Sequence, residues 1–417
     1  MNQYQIAKDC YAAMDINTDD ALTALKKISL SLHCWQADDV GGFEQPISGL
    51  DGGGIQVTGN HPGKARTMEE LRLDLEKAYS LIPGNHRLNL HAIYGDFASQ
   101  KVDRNTIGPQ HFLSWMDWAA EQKIPLDFNG TFFSHPYAND GFTLSHPKKS
   151  IREFWIEHGR CCRRIAAEMG KRQNSPCQLN TWIPDGSKEV PINRLIPRER
   201  LKNSLDSMME ESYSQQWMRD ALETKLFGIG SESYVVGSHE FYMGYAARHD
   251  VKLCLDMGHF HPTESIADKL SSLYLFFQEI LLHVSRPVRW DSDHVVILND
   301  ELLDLTREIV RCGHLQSTHI GLDFFDATMN RVGAYAIGAR SVLKALLAAF
   351  LEPKSQLKEW DAENNAFARM ALQEQCKLLP LGMVWDQFCL ESNVPTDKQL
   401  IGEVMDYETL VQSRRQA

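Results

Sequence analysis

Asp256 and His259 stand three residues apart in the run Val251-Lys-Leu-Cys-Leu-Asp-Met-Gly-His259, just past a short apolar segment. Upstream lies Glu223, followed two residues later by Lys225. Downstream come His283 in Leu281-Leu282-His283-Val284, Asp291 and Asp293 in Trp-Asp-Ser-Asp-His, and Asp323 closing Ile320-Gly-Leu-Asp323. Carboxylates and imidazoles are the ligands that hard and borderline divalent cations take. Alone, each acid reads as a surface or capping residue and His283 as a satisfied core histidine. Their joint placement at the ends of successive apolar segments points instead to metal-dependent chemistry.

Eight short apolar runs could position them. They are Ser29–His33, Arg87–His91, Pro125–Asn129, Gln178–Trp182, Ala221–Leu226, Val251–Asp256, Ile280–Val284 and Thr318–Asp323. Helical spacing fills the gaps at Thr67–Leu81, Pro109–Gln122, Lys149–Met169, Asn193–Met218, Thr263–Gln278 and Glu301–Arg311. Thr67-Met-Glu-Glu70 has the form of a capping box. Strand–helix alternation means parallel strands, and eight units can close into an α/β (β/α)8 TIM barrel; a six-strand open sheet is the alternative. The organisation expected is an amino-terminal helix over 1–27, the barrel over 28–333 and a carboxy-terminal α-helical extension over 334–417. The extension contains Ala334–Leu351, Leu357–Leu378 and a final polar helix, and it would wrap the barrel side or a neighbouring subunit.

In such a barrel Glu223, Asp256, His283 and Asp323 end adjacent strands five to eight and could share one ion. His259, Asp291 and Asp293 could hold a second, with Asp256 bridging and the two aspartates on one extended face. Five carboxylates, two divalent ions and Lys225 sum to zero charge; without cations the carboxylates would repel and desolvate at high cost. Oxygen ligands with two imidazoles suit Mn²⁺, Co²⁺ or Mg²⁺, and the missing thiolates argue against structural zinc. Lys225 is either a charge-balancing strut or an electrophile for a substrate oxygen. His91 could move a proton between sugar oxygens, and Trp35 and Trp182 could stack on sugar faces; each also reads as core or capping. The glycine-rich stretch Gly49–Gly59 lacks the setting of a phosphate loop and reads as a lid.

Composition narrows the class. The 417 residues carry 43 Lys+Arg against 55 Asp+Glu, a formal charge of −12, with no basic stripe, so nucleic acid is not the expected partner. The amino terminus has no signal-peptide pattern, and no apolar run reaches the roughly 20 residues of a membrane span. Nine cysteines without CxxC spacing read as reduced thiols in the cytoplasm.

Longer motifs add a resemblance. Leu32-His-Cys-Trp-Gln-Ala-Asp-Asp-Val40, Arg87-Leu-Asn-Leu-His-Ala-Ile-Tyr94, Phe133-Ser-His-Pro136, Trp182-Ile-Pro-Asp-Gly186, Glu223-Thr-Lys-Leu-Phe-Gly228, Asp256-Met-Gly-His-Phe-His-Pro-Thr-Glu264 and the run from His283 to His294 resemble L-rhamnose isomerases over most of residues 28–350. Ala37 departs from them, standing where glycine is usual. The resemblance implies a (β/α)8 barrel, a homotetramer, two divalent ions per subunit (commonly Mn²⁺), and conversion of L-rhamnose to L-rhamnulose as the first step of rhamnose catabolism. It implies Glu223, Asp256, His283 and Asp323 as structural-metal ligands, and His259, Asp291 and Asp293, with Asp256 shared, as catalytic-metal ligands. It also implies a hydride shift between C1 and C2, with Asp291 at the catalytic ion, Lys225 steadying developing charge on oxygen and His91 assisting ring opening. The competing readings are a metal-dependent epimerase or hydrolase, and a sugar-binding protein with structural metals.

Overall fold

The strands alternate apolar with polar residues, and closing them in parallel turns the polar row inward. A computed structural model describes residues 3–44, 57–98, 100–226, 233–289 and 291–415. Its barrel strands are β1 (Leu30–His33), β2 (Arg87–His91), β3 (Leu126–Asn129), β4 (Cys177–Thr181), β5 (Met218–Glu223), β6 (Lys252–Asp256), β7 (Ile280–Val284) and β8 (Thr318–Leu322). They close in the order β1-β8-β7-β6-β5-β4-β3-β2, every pair parallel. The open-sheet alternative is thereby excluded. Leucines such as Leu30, Leu88, Leu222, Leu253 and Leu282 are buried in the main apolar core. Ala221, Cys254 and Leu281 form a separate small apolar cluster. Most other inward positions are polar, unlike the branched aliphatic filling common in such barrels.

At the amino-terminal end of the barrel Asp127 accepts from Ser31 Oγ (2.7 Å), the Arg87 guanidinium (2.7 Å) and the Gln178 amide (2.9 Å). A paired, fully bonded carboxylate is tolerable there, whereas removing one partner would strand a buried charge. At the other end, strand register places Glu223 beside Cys254 and Asp256 beside His283.

The helices are α1 (Gln3–Ala12), α2 (Thr18–Leu25), α3 (Met68–Ser80), α4 (Leu113–Gln122), α5 (Lys149–Gln173), α6 (Leu195–Met208), α7 (His239–His249), α8 (Ile266–Leu273), α9 (Asp300–Cys312), α10 (Arg331–Phe350), α11 (Lys354–Ala362), α12 (Ala366–Cys376), α13 (Leu381–Glu391) and α14 (Asp397–Leu410). In α9, Asn299 caps the start by accepting from the Leu302 amide, and Leu302, Leu305 and Ile309 are buried along one stripe. Each such burial is worth about 1.5–3 kcal/mol, and the stripe lies against α8 and α10. On α5, Arg163 pairs with outward-facing Asp220 of β5 at 3.0 Å.

Several boundaries differ from those read in the sequence. The expected strand Ala221–Leu226 begins at Met218 and ends at Glu223, because parallel pairing with β4 starts at Met218 and leaves Lys225 in the loop beyond. The helix expected over Asn193–Met218 stops at Met208 for the same reason, and α8 covers only Ile266–Leu273 of Thr263–Gln278. The segment Leu357–Leu378 breaks into α11 and α12, since Asn364 is left-handed (φ 53°) and Asn365 caps a new helix through the Ala368 amide. The amino-terminal helix is two, α1 and α2, divided at left-handed Asp15 and restarted by the Asn17 cap. Thr67 caps α3 through the Glu70 amide, but the Glu70 carboxylate turns to the Arg66 amide, so the reciprocal arm of the box is displaced by one residue.

α10 packs on α9, α3 and β1, and its Tyr335 hydroxyl donates to the His33 carbonyl. Residues 334–350 therefore lie in the ring of barrel helices. By length and composition α10 could cross a membrane, which the sequence reading did not anticipate; 78% of its most apolar window is buried in this fold. All nine cysteines are free. The expected lid, Gly49–Gly59, lies mostly outside the described residues.

Candidate metal centre

The carboxy-terminal mouth of the barrel gathers Glu223, Asp256, His283 and Asp323 so that one donor atom from each lies within 4.8 Å of the others. His283 Nδ1 stands 3.0 Å from Asp323 Oδ2, 3.3 Å from Glu223 Oε2 and 3.8 Å from Asp256 Oδ2. The ring is fully buried, and Gly321 on β8 makes room for it: a Cβ there would lie 3.2 Å from His283 Cδ2. A second group, Asp256, His259 and Asp291, meets the same distance limit, so Asp256 belongs to both. Gly258 permits this approach as well, because a Cβ at that position would sit 2.5 Å from Asp291 Oδ1.

Asp293 is not brought into either group. The extended face expected for Asp291 and Asp293 is broken, since Asp293 has a left-handed φ of 42°, and its carbonyl accepts from the Phe325 amide. Trp290, inside the motif, lies outside the described residues.

His259 follows β6 in a short 3-10 turn, and its Nδ1 hydrogen-bonds the Thr224 carbonyl at 2.8 Å. That bond places a proton on Nδ1 and presents Nε2 toward Asp291, as ligating histidines require. Lys225 Nζ donates to Asp291 Oδ2 at 2.7 Å, lies 3.2 Å from His259 Nε2 and sits 4.5 Å from the centre of the half-buried Trp182 ring. Trp35 stacks on His91 with ring centres 4.0 Å apart.

The protein's own charges leave the cluster unbalanced. Burial and the neighbouring charges of Glu223, Asp323 and Asp291 push the Asp256 carboxyl up to about 7, against the pull of His259. Burial and Asp291 likewise hold Asp293 well above the usual range. Burial opposes charge on the two imidazoles, yet the acids prevail: His259 rises to about 9 and His283 goes well above its ordinary value. Asp291 behaves oppositely, because Lys225 and His259 outweigh burial and draw it well down. Asp256 Oδ2, both His283 nitrogens, Asp291 Oδ1 and Asp323 Oδ1 are buried without an aligned hydrogen-bond partner among the described residues. Orphaned donor atoms of this kind, converging from the ends of β6, β7 and β8 and from the loop that carries Asp291, fit divalent cations.

Beside the cluster runs a directed hydrogen-bond chain absent from the sequence reading. His33 Nδ1 stands 3.0 Å from Asp323 Oδ1. Asn89 Nδ2 lies 3.2 Å from His33 Nε2 and donates to Asn129 Oδ1 at 3.4 Å; Asn129 Nδ2 lies 2.9 Å from His91 Nε2. Amide donors on both Nε2 atoms put the ring protons on Nδ1, toward Asp323 from His33 and into the mouth from His91. Burial, with His33 nearby, holds His91 well below its ordinary value, so this ring is neutral. Asn180 and Cys254 were also missed: Asn180 donates to Glu223, and Cys254 lies within ligand range of Glu223 and His283. The available signal was the strand period, since Cys254 precedes Asp256 by two residues and Asn89 precedes His91 by two.

A family model of L-rhamnose isomerase (RhaA) matches residues 1–415. The chain belongs to the L-rhamnose isomerase family. It is 55% identical over 412 residues to the L-rhamnose isomerase of Rhodopirellula baltica, covering 99% of this chain and 96% of that one. Identity to the L-rhamnose isomerase of Bacteroides thetaiotaomicron is 53% over 412 residues, covering 99% and 98%. Among solved structures, an L-ribulose 3-epimerase superposes with a TM-score of 0.50 at 8% identity, over 79% of this chain and 98% of its own, a likeness of fold alone. This family member thus carries the expected barrel and the resemblance read from its motifs.

Proposed function

We propose that this protein interconverts L-rhamnose and L-rhamnulose by an intramolecular, metal-assisted hydride shift. The observation that carries the reading is the pair of donor groups sharing Asp256, with Lys225 beside them, in a chain of this family. Glu223, Asp256, His283 and Asp323 would hold one divalent ion; Asp256, His259 and Asp291, joined by Asp293, would hold another. Bound there, such ions supply Lewis acidity to neighbouring sugar oxygens. Manganese is our assignment, with Co²⁺ or Mg²⁺ as alternatives.

The chain's own residues do the rest. Lys225, anchored by Asp291, sets its ammonium beside the donor group of Asp256, His259 and Asp291, where it would meet negative charge developing on a sugar oxygen. Neutral His91 offers its Nδ1–H to a ring oxygen during opening. Trp35 and Trp182 furnish apolar walls that exclude water and accept sugar faces. A homotetramer is supported by large apolar residues left exposed on the carboxy-terminal helices, among them Phe367 (83%), Met370 (66%) and Ile401 (69%); light scattering during gel filtration reads the mass. A cytoplasmic location fits nine free cysteines.

The test strips metal with EDTA, restores Mn²⁺ and follows ketose formed from L-rhamnose. Activity should vanish and return, and Asp291→Asn should lose it. Activity indifferent to EDTA and to that substitution argues against the site. Deuterium on the migrating carbon should stay in the product; washout into solvent would favour an enediol.

A further inference from the structure

The barrel has a second opening, at the end of the strands opposite the metal centre. A cavity of about 360 Å³ lies there, with exposed Lys27 and Ser29 in its outer lining and buried Ser31, Asn89 and Gly321 in its inner lining. Its charge is unlike that of the chain. Lys27, Arg87 and Arg219 line it together with Asp127 and Glu279, and Lys252 stands 2.5 Å behind Glu279. Both acids are already satisfied. Asp127 accepts from Arg87, Ser31 and the Gln178 amide, and Glu279 meets Arg219, Lys252 and, at 3.1 Å, His319 Nε2. Four cations against two carboxylates leave two positive charges over, in a protein whose formal charge is −12.

The inner end presents an acceptor instead. Asn89 is 3% exposed, its amide nitrogen is engaged with His33 and Asn129, and its Oδ1 is buried without a partner among the described residues. It stands one inward row above Arg87, about 7 Å along β2. A buried acceptor in that state takes a donor from whatever fills the cavity. Arg87 spends its own donors on Asp127, Ser175 and the Leu126 and Pro176 carbonyls. An anion at the outer end therefore falls to Lys27 and Arg219, which stand on opposite sides of the barrel, before β1 and on β5.

We infer that this cavity binds a small phosphorylated polyol or sugar, its phosphoryl head at the outer end between Lys27 and Arg219 and a hydroxyl donated to Asn89 Oδ1. The volume lies in the range of small-molecule pockets and exceeds what an inorganic oxyanion fills. The site shares no residue with the metal centre, which lies about 13 Å away along β5, from Arg219 to Glu223.

The probe is D-glucitol 6-phosphate, which has no carbonyl to isomerise, titrated by calorimetry into the full-length protein at constant ionic strength. Saturable one-to-one binding is expected. Inorganic sulfate offers the head alone and D-glucitol the tail alone, and each should bind about tenfold more weakly or worse. Lys27→Glu cancels the surplus charge at an exposed position and should weaken the phosphate ester by about tenfold. Ser29→Trp fills the entrance and should abolish its binding; wild-type melting temperatures in both variants would show that the fold is intact. All three ligands are also titrated into Asp291→Asn, which changes binding at the mouth and leaves binding at the opposite end as it was. No binding, an affinity equal to that of D-glucitol, or binding that survives both Lys27→Glu and Ser29→Trp overturns the site. Affinity lost in Asp291→Asn would put the ligand at the mouth and overturn it as well. Sulfate bound as tightly as the ester overturns the hydroxyl contact with Asn89.

Discussion

At the scale of single residues, Lys225 is placed to answer whether it balances charge or acts on substrate. Its ammonium donates to Asp291 at 2.7 Å, and that pairing keeps it charged although it is buried. A strut lost in Lys225→Met would weaken metal binding, and saturating Mn²⁺ would restore kcat. A group that meets developing charge would lower kcat by about 10²–10³ even at saturating metal. We expect the second outcome, read by steady-state kinetics over a Mn²⁺ titration. Asn129 sits at the other end of the mouth and sets the His91 tautomer through its amide donor at 2.9 Å from Nε2. In Asn129→Asp the carboxylate can only accept, so the proton moves to Nε2 and the Nδ1 donor is lost. Ring opening should slow by about tenfold or more if His91 acts as proposed. The readout is kcat/KM on L-rhamnose with its pH profile, since the new charge also raises the His91 pKa.

At the scale of elements, the turn after β6 is as important as its ligands. Gly258 lets Asp291 come against Asp256, and a methyl group would occupy the space of Asp291 Oδ1. Gly258→Ala should therefore cost about 10–100-fold in Mn²⁺ affinity, measured by titration of the free Mn²⁺ signal, with little change in melting temperature of the metal-free protein. Strand ends were legible because apolar runs of period two end in chemically distinctive residues, which makes Glu223, Asp256, His283 and Asp323 recognisable from sequence alone. Their silent neighbours were not legible. His33, Asn89 and Cys254 matter only through their inward row, which becomes distinctive once the barrel closes. Helix α7 escaped because it buries only Tyr242, Tyr245 and Ala246, too few for an apolar stripe. The extended face that spacing implied for Asp291 and Asp293 is interrupted by the left-handed φ of Asp293, a backbone turn that residue types alone do not announce.

At the scale of the whole molecule, histidines buried as neutral rings tie its stability to pH. His86 joins two strand entries: its Nδ1 accepts from the Leu30 amide and its Nε2 lies 3.0 Å from the Pro83 carbonyl. His158 on α5 reaches the Thr131 amide with Nε2 and the Arg104 carbonyl with Nδ1. Each ring uses both nitrogens, and a second ring proton would cost the bond that Nδ1 of His86 or Nε2 of His158 accepts. Burial takes His86 down to about 4; burial, reinforced by Arg104, takes His158 to about 3. Unfolded, both titrate near 6.5. Below that pH the unfolded chain binds protons that the folded chain refuses, so their stabilisation is complete above 6.5 and drains as pH falls toward 4. Each group contributes a slope of at most about 1.4 kcal/mol per pH unit. Asp38 works the other way, because burial lifts its carboxyl to about 7 and the folded chain takes up that proton first. The net curve mixes these signs, and the informative quantity is the slope each variant removes. In metal-free protein, urea midpoints between pH 7 and 4.5 should fall with acidification. His86→Gln and His158→Gln should each flatten that dependence by about one proton. Slopes equal to wild type in both would show that these rings are protonated in the folded chain.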